Sequence, residues 1–202
     1  MSSFDYHILH AVANGINYYK SNRSAFDGLL PGVSNQYRDK MFNILTSTEV
    51  SFDITSLKRK VNIPVITCYS KSEAMNNMQP LSDIGDGGFV LYQVNMAVIF
   101  IYVETKEKLR LYELICKASM MLFRNSFIKA GYDNLNFVRS SDADLEGSSK
   151  DRNDGSYGGD NTLGRENLYK KEMMYQSISS MNIKPIQTGL EEYPWQIEID
   201  LI

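Results

Sequence analysis

Residues 89–131 read FVLYQVNMAVIFIYVETKEKLRLYELICKASMMLFRNSFIKAG, and this stretch decides the fold class. Tyr92, Val94, Met96, Val98, Phe100 and Tyr102 alternate with Leu91, Gln93, Asn95, Ala97, Ile99, Ile101 and Val103. A period of two is the signature of a strand with two distinct faces. The run is about fifteen residues long, enough to bend or to project beyond its sheet. After Glu104 the period lengthens. Leu111, Leu114, Ile115, Ala118, Leu122 and Phe123 form one apolar stripe that Phe127 continues, and Lys106, Lys108, Lys117 and Arg124 supply the polar side. Thr105 is a natural N-cap and Gly131 a natural C-cap, so the spacing predicts one long helix between them. Burying roughly six such side chains at about 1.5–3 kcal/mol each offsets the marginal stability of an isolated helix. No residue of obvious catalytic type interrupts the strand or the helix, which points toward a structural or interaction protein.

Upstream, Tyr6, Leu9, Val12, Ala13 and Ile16 recur at three- and four-residue spacing, predicting a long N-terminal helix that ends near Tyr19 and Lys20. Asp27-Gly28 and Pro31-Gly32 mark 21–36 as a loop, and 37–47 suits a short helix. Val50, Phe52 and Ile54 alternate as a strand over 48–55, and a second strand runs from Val61 to Ser70. Pro64 has no N–H to donate, which places it at a sheet edge or near a strand start. Residues 71–88 form a connection ending in Gly85-Asp86-Gly87-Gly88.

Downstream, 134–140 and 168–179 read as the two strands of a hairpin, the second alternating through Tyr169, Lys171, Met173, Tyr175 and Ser177. Between them, 141–167 is rich in Asp, Gly, Ser and Asn. Such a run cannot bury enough surface to offset its ordering entropy, so a flexible loop insertion is expected there. A C-terminal extension, 181–202, carries a last alternating strand, Trp195, Ile197, Ile199 and Leu201. Strands in groups rather than in strict alternation with helices predict one α+β domain over 1–202. Its sheet is mostly antiparallel, its two long helices lie on one face, and its hairpin has a long flexible tip.

The 202 residues carry a net charge of −3, too small to draw nucleic acid by long-range attraction. Two cysteines, Cys68 and Cys116, make no disulfide framework, which favours a reducing compartment. The first residues lack the pattern of a signal peptide, and no run reaches the roughly 18 apolar residues of a membrane span. The expectation is a soluble protein made in a cytoplasm.

Candidate chemistry is sparse. His7 and His10 are the only histidines, three apart on the first helix, and read best as helix-surface or interface residues. Gly85–Gly88 lacks the Gly-Lys-Ser/Thr ending of a phosphate loop and precedes a strand rather than a helix. Cys116, mid-helix, suits a small buried hydrophobe. Asp142, Asp144 and Glu146 lack EF-hand spacing and read as a solvated acidic loop. Lys58, Arg59 and Lys60 are too short a basic run for nucleic-acid binding. They read as a solvated turn, or as the partner of Asp142, Asp144 and Glu146 on a neighbouring subunit, and Met173, Met174 and Tyr175 are expected to offer adaptable contact area. No catalytic residue, cofactor or metal is expected. The competing possibility is a small α+β enzyme or ligand-binding domain whose site gathers His7, Asp142 and Glu146.

The element order resembles the tail terminator (tail completion) proteins of long-tailed bacteriophages and related neck proteins that join head to tail. The elements that carry the resemblance are the N-terminal helix, the strand Ile63-Pro64-Val65-Ile66-Thr67-Cys68-Tyr69, the long strand 90–104, the helix 109–130 and the hairpin of 134–140 with 168–179. It spans about residues 1–180; the 141–167 segment and the C-terminal strand depart from it. The resemblance implies a virion protein without enzymatic activity, assembled in the host cytoplasm. It implies a homo-oligomeric ring, usually of six subunits, that caps the tail tube, stops its growth and meets the head connector. Its partners would be the tail tube protein, the sheath where there is one, and the connector, with DNA passing through the ring unread. Ring closure needs two different patches per subunit, and exposed strands offer edges for such contacts.

Overall fold

A computed structural model describes residues 4–52, 63–74, 89–143, 168–185 and 197–200. The chain begins with three helices, α1 (Phe4–Ser21), α2 (Arg23–Gly28) and α3 (Asn35–Ser47). Strands β1 (Val65–Ala74) and β2 (Phe89–Val103) follow, then helices α4 (Lys106–Leu122) and α5 (Arg124–Lys129). Strands β3 (Asp133–Ala143), β4 (Tyr169–Pro185) and β5 (Ile197–Asp200) complete the order. The sheet runs β1-β2-β4-β3, with β5 also paired to β4, and every one of these pairings is antiparallel. The helices pack on one face, so the α+β class, the antiparallel sheet and the long N-terminal helix are as the sequence predicts.

The central feature is the pairing of β2 with β4, unbroken from Phe89↔Ile183 to Val103↔Tyr169. Alternation along β2 sorts the residues: Ala97, Ile99, Ile101 and Val103 are buried beneath the helices together with Ile66 of β1 and Met173 and Tyr175 of β4. At Asn95 that face turns polar. Asn95 lies opposite Ser177, its Nδ2 donates to Ser179 Oγ at 2.9 Å, and Ser177 Oγ donates to the Asp133 carbonyl at 2.6 Å. Buried polar groups are retained where they find partners, and here they do. Strand β1 starts directly after Pro64 and lies at the sheet's edge among the described strands, as the missing N–H of proline requires.

Several expectations need correction. Residues 48–52 are not a strand. They make one parallel bridge, Ser51↔Val65, in which Ser51 N–H donates to the Pro64 carbonyl at 2.9 Å and Ile66 N–H donates to Ser51 O at 2.8 Å. The rest of that predicted strand, 53–55, lies outside the described residues. The predicted loop 21–36 contains α2, held by Arg23, whose guanidinium pairs with Asp27 at 2.9 Å and Asp39 at 2.6 Å and lies 4.6 Å from the Phe42 ring centroid. Residues 141–143 continue β3 and 180–185 continue β4, so the hairpin is longer than its alternation implied. The tip, 144–167, lies outside the described residues.

The long helix starts as predicted, with Thr105 Oγ1 accepting from the Lys108 N–H at 3.2 Å, and its end is marked by Gly131 at φ 83°. Between these points it breaks at Phe123, which separates α4 from α5. The buried stripe of α4 is also rotated from the predicted one. Leu111 and Ile115 are buried as predicted, but Leu109, Tyr112, Cys116, Ser119 and Met120 are buried with them, whereas Leu122 is 44 % exposed. The cause is the approach of α1. A Cβ built on Gly15 would lie 1.8 Å from Ser119 Oγ and 2.6 Å from Ser119 Cβ, so the two helices touch through a glycine and a small side chain. The same contact turns α1, which buries Phe4, Ile8, Ala11, Val12, Ile16 and Tyr19 and leaves Tyr6 exposed.

Candidate functional site

Because the helices cover one face of the sheet, the opposite face is set by the other half of the alternation. Cross-strand register lines up Tyr69, Val98 and Met174 in one row and Thr67, Phe100 and Glu172 in the next. A third row is Val65, Tyr102 and Lys170; of these, Val65 and Tyr102 belong to a small second core with Ile63 and Leu168, against which Phe100 packs. No helical residue belongs to that cluster. The Lys170 ammonium lies 4.9 Å from the Phe100 ring centroid, 5.9 Å from that of Tyr102 and 3.1 Å from the Glu172 carboxylate, so its charge is shared between the ring faces and an ion pair. Beyond it, Tyr69 is 63 % exposed. This face is an apolar, aromatic-bearing surface of the kind enriched in protein contacts.

The residues singled out from sequence fare unevenly. Met173 and Tyr175 are a correction: they are buried beneath the helices, opposite Ile99 and Ala97, and cannot offer contact area to another subunit. Met174, between them, faces the helix-free side and is half-buried. Asp142 lies at the end of β3 opposite Lys171. Lys58, Arg59, Lys60, Asp144 and Glu146 lie outside the described residues, so their pairing across subunits stays an expectation. The exposed Tyr69 and the half-buried Val98 and Phe100 on this face were visible in the alternation but carried no chemical signal that distinguished them from core.

On the helix side, His7 and His10 border a cavity of about 260 Å³ between α1 and α5, with Asn14 and Ser126 on its rim. His10 stacks on Tyr6, ring centroids 5.9 Å apart, and its Nδ1 lies 3.1 Å from Asn14 Nδ2. His7 sets its edge against Tyr132 at 5.4 Å. Burial, and then the like charge of His10, lowers the pKa of His7, so its neutral form is favoured. Of the alternative site that would join His7 to Asp142 and Glu146, Glu146 lies outside the described residues, and the backbone sets His7 and Asp142 apart. Tyr132, beside His7, directly precedes β3, whereas Asp142 is its next-to-last residue; the β4 partners of Asp133 and Asp142, Ile178 and Lys171, are seven residues apart. At about 3.3 Å per residue that is more than 20 Å. Among the described residues, no three His, Cys, Asp or Glu side chains stand together as a metal site.

One charged cluster is built into the core's margin. Glu113 on α4 accepts from Lys117 Nζ at 2.6 Å and from Lys171 Nζ at 3.2 Å, and Ser140 Oγ donates to it at 3.4 Å. Burial alone would raise the carboxyl's pKa, but the lysine hydrogen bonds and charges outweigh it and hold Glu113 below the usual carboxylate range. Cys116 is fully buried, and desolvation pushes its thiol well above the ordinary range, helped by Glu113. It will resist alkylation by iodoacetamide at pH 8 in the native protein and react fully once unfolded. Mass spectrometry before and after denaturant checks this, and rapid native labelling would contradict the packing.

Among the described residues, the geometry therefore defines an α+β sheet protein with helices on one face, none on the other, and no metal cluster. No protein-family model matches the chain, and no curated protein matches it. No helix among the described residues is long and apolar enough to cross a membrane.

Proposed function

We propose that this chain is a structural protein of a long-tailed bacteriophage neck, a tail terminator or head–tail joining subunit. It works by closing into a ring, six subunits in the form the resemblance implies. The ring caps the tail tube, with the sheath where one is present, and joins it to the head connector while DNA passes through. On this reading it turns over no substrate, needs no cofactor and resides in the virion neck after assembly in the host cytoplasm. The observation that carries the reading is the one-sided sheet: a fifteen-residue β2 paired throughout with β4, helices on one face, and the exposed Tyr69 and half-buried Val98, Phe100 and Met174 on the other. The element order through which the resemblance was drawn supports it as well. Ring assembly needs such unmatched surfaces, since each subunit must present two different patches.

Negative-stain micrographs and light scattering on the purified full chain test it. Rings are expected, together with tails of irregular length when the gene is deleted. A strictly monomeric protein at high concentration and unchanged tail length would overturn the reading.

A further inference from the structure

We propose that the groove between the α2–α3 connection and α4 is a docking site for an acidic segment of a partner protein that presents one bulky aliphatic side chain. The inference rests on the reading that this chain acts through protein contacts, and it gives the chemistry of one such partner. The groove holds about 390 Å³, within the range of roughly 300–1,000 Å³ found for clefts that take ligands. Its walls are apolar: Leu30 and Val33 come from the connection, Tyr37 from α3 and Leu114 from α4.

Its rim is not neutral. Arg110 is exposed and enters no ion pair among the described residues, and Lys117 stands two turns further along α4. Glu113 is the acid among the described lining residues, and its two oxygens already face Lys117 at 2.6 Å and Lys171 at 3.2 Å. Among the lining residues, Arg110 and Lys117 stand against the single carboxylate of Glu113, which leaves the rim with one excess positive charge in a chain whose net charge is −3. A cationic rim around an apolar floor selects for a carboxylate beside a hydrocarbon: the charges steer the approach and fix the register, and the aliphatic side chain supplies the desolvated anchor. The apolar track also continues past the groove. Lys117 lies 5.1 Å from the ring centroid of Phe137, which is 46 % exposed, and Val138 beside it is 48 % exposed. An extended segment leaving the groove would run onto this part of β3.

The test is fluorescence anisotropy on the full chain, with a fluorescein-labelled synthetic peptide in which one leucine is flanked by aspartates and glutamates. Saturable binding is expected, weakening as salt is raised because the rim charges are solvent-exposed. Arg110→Glu should weaken it by roughly tenfold or more, the scale of reversing one rim charge. Arg110 is on the surface, so a melting curve unchanged from wild type will show that the fold survives. A peptide with serine in place of leucine should bind no better than the Arg110→Glu protein binds the original. Leu114→Asp is a second variant for the floor. Absence of saturable binding, or binding that neither Arg110→Glu nor the serine peptide alters, overturns the proposal. Micrographs of the same preparation separate the two readings: rings without peptide binding sink the groove alone, and peptide binding without rings sinks the ring alone.

Discussion

Gly15→Ala will destabilise the protein by about 1–3 kcal/mol, the range for overpacking a well-filled interior. An alanine is ordinarily favoured over glycine inside a helix by roughly 1 kcal/mol. At this position the sign reverses, because the new Cβ would lie 2.6 Å from Ser119 Cβ, and no rotation of the serine hydroxyl relieves that distance. The α1–α4 contact must open or the helices must shift. For a chain of this size each kcal/mol is worth about 2–4 °C in melting temperature. The compensating change identifies the cause. Ser119→Gly, combined with Gly15→Ala, removes the colliding atom and should recover most of the loss, whereas Ser119→Ala keeps Cβ and should recover little. A double-mutant cycle by thermal melting measures the coupling. If Gly15→Ala raises the melting temperature, the helices are not in the contact described here.

Glu113→Gln should cost about 1–3 kcal/mol at pH 7, because it removes the carboxylate that faces the largely buried Lys171, 9 % exposed, and leaves a weaker partner for its charge. Lys117 contributes less, since its side chain is 39 % exposed and solvent screens it. The pH dependence follows from the lowered pKa of Glu113. In the unfolded chain this carboxyl titrates near 4.3, and in the folded chain lower. The folded state therefore holds fewer protons between those values, and the stabilisation is complete above the unfolded pKa and fades as pH falls through the folded one. The stability gap between wild type and Glu113→Gln should be constant from pH 6 to 7 and close at acid pH. Urea melts across that range check it. A gap that widens on acidification would mean that the lysines do not hold the carboxylate ionised.

These two sites show which parts of the molecule can be inferred from sequence. The alternation over 89–103 identified β2, its length and the composition of both faces, because a strand's period depends on neighbours two residues apart. Thr105 and Gly131 were legible for the same local reason: a hydroxyl before a helix and a glycine able to take φ 83°. The α4 stripe was legible only in part, through Leu111 and Ile115. Six apolar residues there suggested an orientation in which Leu122 is buried, yet the small Ser119 sits at the centre of the contact because Gly15, over a hundred residues earlier, lets α1 approach. No local pattern carries that information. Met173 and Met174 present the same difficulty on β4. Both sides of the strand carry methionine, and only the layer lying above decides which is core. The groove beside Leu114 was unreadable because the α2–α3 connection, α3 and α4 each supply part of it.

The uninterrupted register between β2 and β4 has a mechanical corollary. Rungs of an antiparallel ladder stand across the strand axis. Force applied along that axis strains all the rungs at once, whereas force applied across it peels them apart singly. With fifteen residue pairs in step from Phe89 to Val103, the molecule has one stiff direction and one compliant direction, fixed by the orientation of two strands.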